Sequence, residues 1–197
     1  MAGPPKKIML IRHGEKPPSN PKDAPFDVKE DGERGGGKSL IVIGWQRAGA
    51  LNGFFAPHKA SPPKKDIAPP DFIYAADPSG ESRRPHETIE PLAAWMGYTQ
   101  APELNMQYDI GGGEAGLVQS LLGLSGAVLI CWEHDHIMEL EPSIVKTLNG
   151  KVPIKNFSKI PGKWPDVFDL VFDLDKSGKK YEWNQVHQSL MAGDVKG

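Results

Sequence analysis

The segment KIMLIRHGEK, residues 7–16, changes abruptly from an apolar run to a cluster of charged side chains. Its first five residues, 7–11, have the length and composition of a buried strand. An arginine, a histidine, a glutamate and a lysine follow at once, grouped around Gly14. A strand that ends in a simple turn needs only glycine or asparagine beside a polar residue. The charged cluster therefore indicates a functional site at the end of this strand.

Strand-like and helix-like segments alternate along the rest of the chain. The predicted elements are, in order, a strand at 7–11, a helix at 44–55, a strand at 72–76, a helix at 85–96 with Gly97 as C-cap, a helix at 117–122, a strand at 127–132 and a hairpin within 167–187. This alternation predicts an α/β fold. We expect a three-layer sandwich with a mostly parallel central sheet, helices on both faces and an antiparallel edge strand from the C-terminal hairpin.

Composition limits the class of protein. The chain has 197 residues, of which 39% are hydrophobic, and its net charge is -2. This size predicts one domain over 1–197, and the near-neutral charge provides no basic face for nucleic acid. Neither a signal peptide nor a membrane span is evident, so a cytoplasmic location without a membrane partner is expected. Two proline-rich loops, at about 17–39 and 57–70, are long enough to be functional lids or disordered insertions.

Reactive side chains follow three of the predicted strands. Arg12 and His13 come after the first, Arg84 after the second, and His134 and Asp135 after the third. Ligands of an open parallel sheet bind at this carboxyl edge. Guanidiniums and an imidazole can bind the oxygens of a phosphoryl group, and a neutral imidazole is a competent nucleophile. With a carboxylic acid to protonate the departing oxygen, the set favours phosphoryl transfer without a metal ion.

The motifs around these residues are similar to those of a known family. LIRHGE at 10–15 and RPHET at 84–88 resemble signatures of the histidine phosphatase superfamily, which includes the cofactor-dependent phosphoglycerate mutases. The segment LIVIGWQRA at 40–48 resembles the start of a helix in that family. The motifs occur in the family's order, and the resemblance covers roughly residues 7–137.

The resemblance implies a role for each residue. His13 would be the nucleophile that becomes phosphohistidine, Arg12 and Arg84 would bind the phosphoryl oxygens, and His134 would complete the pocket. Lys16, which stands where the acid-phosphatase branch has the arginine of RHGxRxP, would add a third cation. The glycine after His13 would let the chain turn sharply beside the phosphate. The implied activity is hydrolysis of a phosphomonoester, without cofactor or metal, on a small phosphorylated substrate or a phosphoprotein.

The general acid is open between four carboxylates. Asp135 directly follows the second histidine, where the acid-phosphatase branch of the family has its acid. The mutase-like branch has a glutamate where this chain has Met106. Asp135 is therefore the favoured acid, with Glu15, Asp109 and Glu114 as alternatives.

Other interpretations fit parts of the pattern. A phosphate-binding or regulatory protein of the same fold would keep the pocket without catalysis, and a phosphoglycerate mutase-like phosphotransferase would keep the nucleophile. His134-x-His136 could belong to a metal site, but the further Asp-His pair of such metallohydrolases is missing. The run GGGEAG at 111–116 satisfies G-x-G-x-x-G, yet the residues before it do not read as a buried strand, so a turn before a helix is predicted. No residue pattern bears on the oligomeric state.

Overall fold

A computed structural model describes residues 4–20, 25–58, 63–149, 154–178 and 180–195. The strands and helices are β1 (Lys7–Arg12), α1 (Val42–Phe55), β2 (Phe72–Ala76), α2 (Arg84–Met96), β3 (Leu104–Tyr108), α3 (Glu114–Leu121), β4 (Ala127–Trp132), α4 (His134–Asn149), β5 (Ile154–Lys155), β6 (Leu170–Ser177) and β7 (Lys180–His187). None of the helices within the described ranges has the length and apolar character needed to cross a membrane.

The strands form one mostly parallel sheet in the order β3-β2-β4-β1-β6-β7-β5. β1, β4, β2 and β3 pair in parallel, whereas β6 runs antiparallel to both β1 and β7. β6 and β7 are the predicted C-terminal hairpin, and the two-residue β5 lies beyond it, parallel to β7. The parallel strands β1, β4 and β2 therefore end at a common edge, where the sequence places its reactive residues.

Helices cover both faces of the sheet. Successive side chains of β1 point to opposite faces. Ile8 and Leu10 pack in a cluster with apolar residues of α3 and α4, and Met9 and Ile11 pack in a second cluster with residues of α1 and α2. All four side chains are fully buried. The predicted three-layer α/β fold is confirmed.

Most predicted elements lie where the sequence pattern indicates. β2 and β4 have the predicted bounds, and α1, α2 and α3 begin slightly earlier than predicted. Gly97 closes α2 in the left-handed conformation, with φ of 75°, as expected for a C-cap. Gly111 is also left-handed, and α3 begins at Glu114, so the glycine run is a turn before a helix.

The sequence pattern missed β3, α4 and the two-residue β5. The segment before the glycine run is the strand β3, so the prediction of no strand there was wrong. β3 lies at the edge of the sheet, and only its first two residues are buried. Its apolar alternation is therefore weak. α4 contains Pro142, which reads as a helix breaker. Ile137, Leu140 and Ile144 are nevertheless buried at helical spacing.

The first proline-rich loop folds back on the start of α1. The Asp27 carboxylate accepts the Ser39 N–H at 2.9 Å. Both residues are buried, so the loop packs against the body of the protein at these positions, whereas most of the residues between them are exposed. Residues 21–24 of this loop, and 59–62 of the second loop, lie outside the described residues.

A close approach of two segments explains Gly14. Gly14 does not have a left-handed φ, so the expected need for glycine in a sharp turn was wrong. A Cβ at Gly14 would instead lie 3.1 Å from the carbonyl oxygen of Gly44. A Cβ at Gly44 would lie 2.6 Å from the carbonyl oxygen of Glu15. The first turn of α1 therefore packs directly on the backbone that follows β1.

Gly44→Ala is expected to lower the free energy of unfolding by about 1–3 kcal/mol, because the new methyl group would overlap the backbone of Glu15. Gly49→Ala in the same helix is the matched control, since a Cβ there has no neighbour within 4 Å. Alanine is expected to stabilise that position by about 0.5–1 kcal/mol. Urea unfolding followed by circular dichroism measures both changes, and effects of the same sign would contradict the close approach.

Candidate active site

The carboxyl ends of β1 and β4 bring His13, Glu133 and His134 together. The backbone N–H of His13 donates to the carbonyl oxygen of Trp132 at 3.1 Å, which continues the pairing of the two strands. One donor atom from each of the three side chains lies within 4.8 Å of the other two. Within the described ranges, they form the one group of at least three His, Cys, Asp or Glu side chains that could hold a metal ion.

His13 is fully buried, and its ring is held in one tautomer. Nδ1 lies 2.7 Å from the carbonyl oxygen of Gly14. Because a carbonyl only accepts, Nδ1 carries the proton and Nε2 carries the lone pair. Nε2 is buried and has no hydrogen-bond partner among the described residues. Burial is the main cause that lowers the pKa of His13 well below 6.5, and the charges of Arg12, Arg84 and Lys16 lower it further. The ring is therefore neutral at pH 7 and offers a nucleophilic nitrogen.

Helix α2 holds the segment that follows β1. The Thr88 hydroxyl accepts the Gly14 N–H at 2.8 Å and donates to the carbonyl oxygen of Arg84 at 2.7 Å. The buried carboxylate of Glu87 accepts the Leu40 N–H at 2.8 Å. The Arg-x-x-x-Thr spacing thus fixes the nucleophile segment and the first turn of α2 relative to each other.

The Arg84 side chain donates hydrogen bonds to the first proline-rich loop. Its Nη2 donates to the carbonyl oxygen of Gly37, and its Nε lies 3.4 Å from the carbonyl oxygen of Ser39. Burial lowers the pKa of Arg84, but a guanidinium stays protonated in proteins. Its charge is among those that lower the pKa of His13, so this cation acts directly on the buried imidazole.

Arg12 is a buried cation with incompletely paired donors. Its guanidinium lies 4.1 Å from the centre of the Phe168 ring. Nη1 is 3.6 Å from the fully exposed carboxylate of Asp166, which is longer than a hydrogen bond. Nη1 and Nε are buried without hydrogen-bond partners in the described part of the chain. Burial lowers the pKa of Arg12. With the half-buried Lys16, the two arginines make this edge of the sheet suited to an anion.

Glu133 is the residue of this cluster to which the sequence pattern assigned no role. Its Oε2 accepts the backbone N–H of Asp135 at 2.8 Å and that of His136 at 3.4 Å. Its Oε1 contacts Nδ1 of His134. A carboxylate immediately before a helix is a recognisable capping signal. Glu133 therefore fixes the first turn of α4 and orients the His134 ring.

The favoured acid, Asp135, lies at the outer side of the cluster. Its side chain is 76% exposed, and Oδ1 is 3.7 Å from Nε2 of His134. Asp109, one of the alternatives, is also exposed and lies beside Gly80 in the turn that follows β2. Of these two carboxylates, Asp135 is the one with a contact to a predicted catalytic histidine.

The other two alternative acids make structural contacts. The Glu15 carboxylate pairs with the buried guanidinium of Arg47, at 2.7 Å between Oε1 and Nη2. Glu114 accepts the Gly111 N–H at 2.7 Å and the indole N–H of Trp132 at 3.2 Å. Both carboxylates are thus engaged in holding neighbouring segments together.

Comparison with known proteins gives matches to solved structures alone. No protein-family model matches the chain, and no curated protein shows a significant match. A protein of Agrobacterium tumefaciens assigned as the phosphohistidine phosphatase SixA is similar over 92% of this chain and 96% of its own, with 14% identity and a TM-score of 0.47. The protein histidine phosphatase SixA complexed with tungstate is similar over 92% and 97%, with 13% identity and a TM-score of 0.45. The function proposed below rests on the residues of the site.

The His13 ring is expected to stay neutral across the physiological pH range. Nitrogen-15 NMR of the native protein should show the Nδ1–H tautomer at about pH 7, with no protonation as the pH falls from about 8 to about 6, because burial lowers the pKa well below 6.5. The same ring in urea-unfolded protein is the control and should titrate at about pH 6.5.

The sign of the linked stability change follows from this shift. The unfolded protein takes up the His13 proton at a higher pH than the native protein, so this residue destabilises the native state as the pH falls below about 6.5. A native ring that titrates together with the unfolded one would contradict the buried, neutral assignment.

Proposed function

We propose that the protein is a metal-independent histidine phosphatase that hydrolyses phosphomonoesters through a phosphohistidine at His13. The observation that carries the proposal is the state of His13. Its Nδ1–H is held by the Gly14 carbonyl, its Nε2 lone pair has no partner in the described residues, and the charges of Arg12, Arg84 and Lys16 act on it. A neutral imidazole with a free Nε2 beside guanidinium donors suits attack on a phosphoryl group.

The reaction has two displacements. In the first, Nε2 of His13 attacks phosphorus, the bond from phosphorus to the ester oxygen breaks, and a carboxylic acid gives its proton to the departing oxygen. In the second, water attacks phosphorus, the carboxylate takes a proton from that water, and the phosphorus–nitrogen bond breaks. Orthophosphate leaves, and both the neutral imidazole and the carboxylic acid are restored.

Arg12, Arg84, Lys16 and His134 would bind the phosphoryl oxygens. Arg12 has the Nε and Nη1 donors for this role, and the exposed carboxylate of Asp166 would give way to the substrate. An exposed carboxylate that returns to water loses little free energy, because surface ion pairs contribute at most about 1 kcal/mol. Charge spread over the phosphoryl oxygens in the transition state is what such donors stabilise.

Asp135 is proposed as the general acid, and Glu133 as the residue that orients His134. Both oxygens of Glu133 are engaged, by backbone N–H groups and by the His134 ring. Asp135 is exposed and close to His134, so it can reach a leaving group that enters from solvent. In the hydrolysis step, Asp135 would regain a proton from the attacking water.

A cavity next to Arg12 suits the organic part of the substrate. It has a volume of about 240 Å³, and its lining includes Asp166 and Phe168, the two residues that contact the Arg12 guanidinium. Ile43 and Met191 add apolar surface to the lining. A small phosphorylated molecule or the side chain of a phosphoprotein could place its leaving group there.

A phosphate-binding or regulatory protein without turnover is the second candidate. Loop carbonyls accept hydrogen bonds from Arg84, and His13 is fully buried, which favours a site that holds an anion without releasing a product. Turnover measurements separate the two functions, because the binding protein would retain phosphate without forming a phosphohistidine.

His13→Ala is expected to reduce turnover of p-nitrophenyl phosphate by about 10³-fold or more, because the nucleophile is lost. The wild-type protein, quenched by denaturation during turnover, should carry phosphate in an acid-labile, base-stable linkage that the variant lacks. His58→Ala replaces an exposed histidine and serves as the control. Undiminished activity of His13→Ala would end the proposal, and absence of turnover and label in the wild type would favour the binding protein.

Asp135→Asn is expected to slow hydrolysis according to the leaving group. An alkyl phosphate needs its oxygen protonated and should lose about 10²–10⁴-fold in kcat, whereas p-nitrophenyl phosphate should lose about tenfold or less. Glu139→Gln, an exposed change in the same helix, is the matched control. Equal losses for the two substrates would show that Asp135 is not the acid.

A further inference from the structure

The cluster of His13, Glu133 and His134 has the donor set of a transition-metal site. Two imidazole nitrogens and one carboxylate oxygen are ligands that Zn²⁺ takes in three-ligand protein sites. One donor atom from each residue lies within 4.8 Å of the others. A tetrahedral Zn²⁺ with bonds of about 2.1 Å holds its ligand atoms about 3.4 Å apart. The half-buried side chains of Glu133 and His134 could close the difference by small rotations.

His13 is prepared as a metal ligand as well as a nucleophile. A ligating histidine must be neutral, and its other ring nitrogen usually donates to a carbonyl or carboxylate. In His13, Nδ1 donates to the Gly14 carbonyl, and the fully buried Nε2 has no hydrogen-bond partner in the described ranges. This buried lone pair without a partner points to a ligand at Nε2.

Glu133 and His134 are held together before any ion arrives. Oε1 of Glu133 contacts Nδ1 of His134, and Oε2 is fixed by the first N–H groups of α4. A metal ion would therefore find a carboxylate oxygen and an imidazole nitrogen already side by side.

The charges around the cluster do not exclude a cation. Three cations and three carboxylates act on His13 or on Arg12, so their formal charges cancel. They are Arg12, Arg84 and Lys16, and Glu133, Asp135 and Asp166. The cations that suit the edge to an anion are thus matched by carboxylates, and Glu133, one of these carboxylates, would bind a divalent ion directly.

We propose that His13, Glu133 and His134 form a reversible inhibitory site for Zn²⁺. Coordination through Nε2 of His13 would occupy the lone pair that attacks phosphorus, so the bound ion and the phosphohistidine exclude each other. The inhibitory part of this proposal rests on the phosphatase function, whereas the binding part concerns these three side chains alone. Mg²⁺ is not expected to bind at this site, because it prefers oxygen donors.

Metal binding is tested first on protein freed of metal by dialysis against a chelator. Zn²⁺ titrated in competition with a chromophoric chelator should bind at one equivalent, and Mg²⁺ should not compete. Co²⁺ in place of Zn²⁺ should give the intense visible absorption of a four-coordinate site. Because the Co²⁺ spectrum is read on the wild-type protein, this arm does not depend on whether any variant folds.

Variants then assign the ligands. Glu133→Gln should weaken Zn²⁺ binding about tenfold or more, and His134→Ala should do the same. His136→Ala is the matched control, because His136 is the next histidine of the same helix and pairs with Glu114 and Glu139 instead. Unchanged affinity in Glu133→Gln, or loss of binding in His136→Ala, would overturn the assignment.

Activity separates inhibition from the proposed function. In wild-type protein, turnover should fall in proportion to Zn²⁺ occupancy and return on chelation. A rise of turnover with Zn²⁺ would overturn the inhibitory role. If metal-free protein shows no turnover, the phosphatase proposal fails, and the binding arms still decide whether the three side chains form a zinc site.

Discussion

The burial of a neutral His13 ring is the constraint on which the rest of the site depends. A polar ring removed from water must be held by hydrogen bonds and close packing, or its burial would cost stability. The Gly14 carbonyl accepts from Nδ1, the Thr88 hydroxyl holds the Gly14 N–H, and β4 accepts the His13 N–H. Gly44 allows α1 to pack on the same segment. Three elements of the fold, β4, α1 and α2, thus hold the segment in which the Gly14 carbonyl leaves the lone pair on Nε2.

The cations of the site differ in how firmly they are held. Arg12 faces Asp166, a fully exposed carboxylate that can return to water. Arg84 donates to backbone carbonyls of the first proline-rich loop, and the Lys38 carbonyl of that loop accepts the Arg83 N–H. An entering phosphoryl group would therefore exchange easily with the acceptor of Arg12, whereas Arg84 would keep its orientation. This asymmetry gives the site one adaptable cation and one fixed cation.

A phosphoryl group and a zinc ion would use the same atom of His13 in the proposed scheme. The phosphoryl group also needs the guanidiniums, whereas the ion also needs Glu133 and His134. Glu133 adds a carboxylate at the start of α4, next to the His134 ring. Glu133 would therefore serve two purposes in this scheme. It caps α4, and it would let a zinc ion compete with the phosphoryl group for His13.

The sequence predicted those features that depend on neighbours along the chain. β2, β4, the C-terminal hairpin and the Gly97 cap have strong local patterns of apolar alternation or turn residues. β3 was missed because an edge strand with two buried residues has little alternation, and α4 was missed because Pro142 interrupts its apolar pattern. The position of Gly14 was predicted to matter, but its reason, contact with Gly44, involves a distant segment.

By itself, the sequence determined most of the strands and helices and the occurrence of charged residues and histidines at the strand ends, because both are local properties of the chain. The tertiary structure alone decided the tautomer of His13, the contact of Glu133 with His134 and the pairing of Glu15 with Arg47. The first two features depend on burial and ring orientation. The third depends on two partners that lie far apart in the chain. The protonation state and availability of a side chain are set by such surroundings, which residue order does not specify.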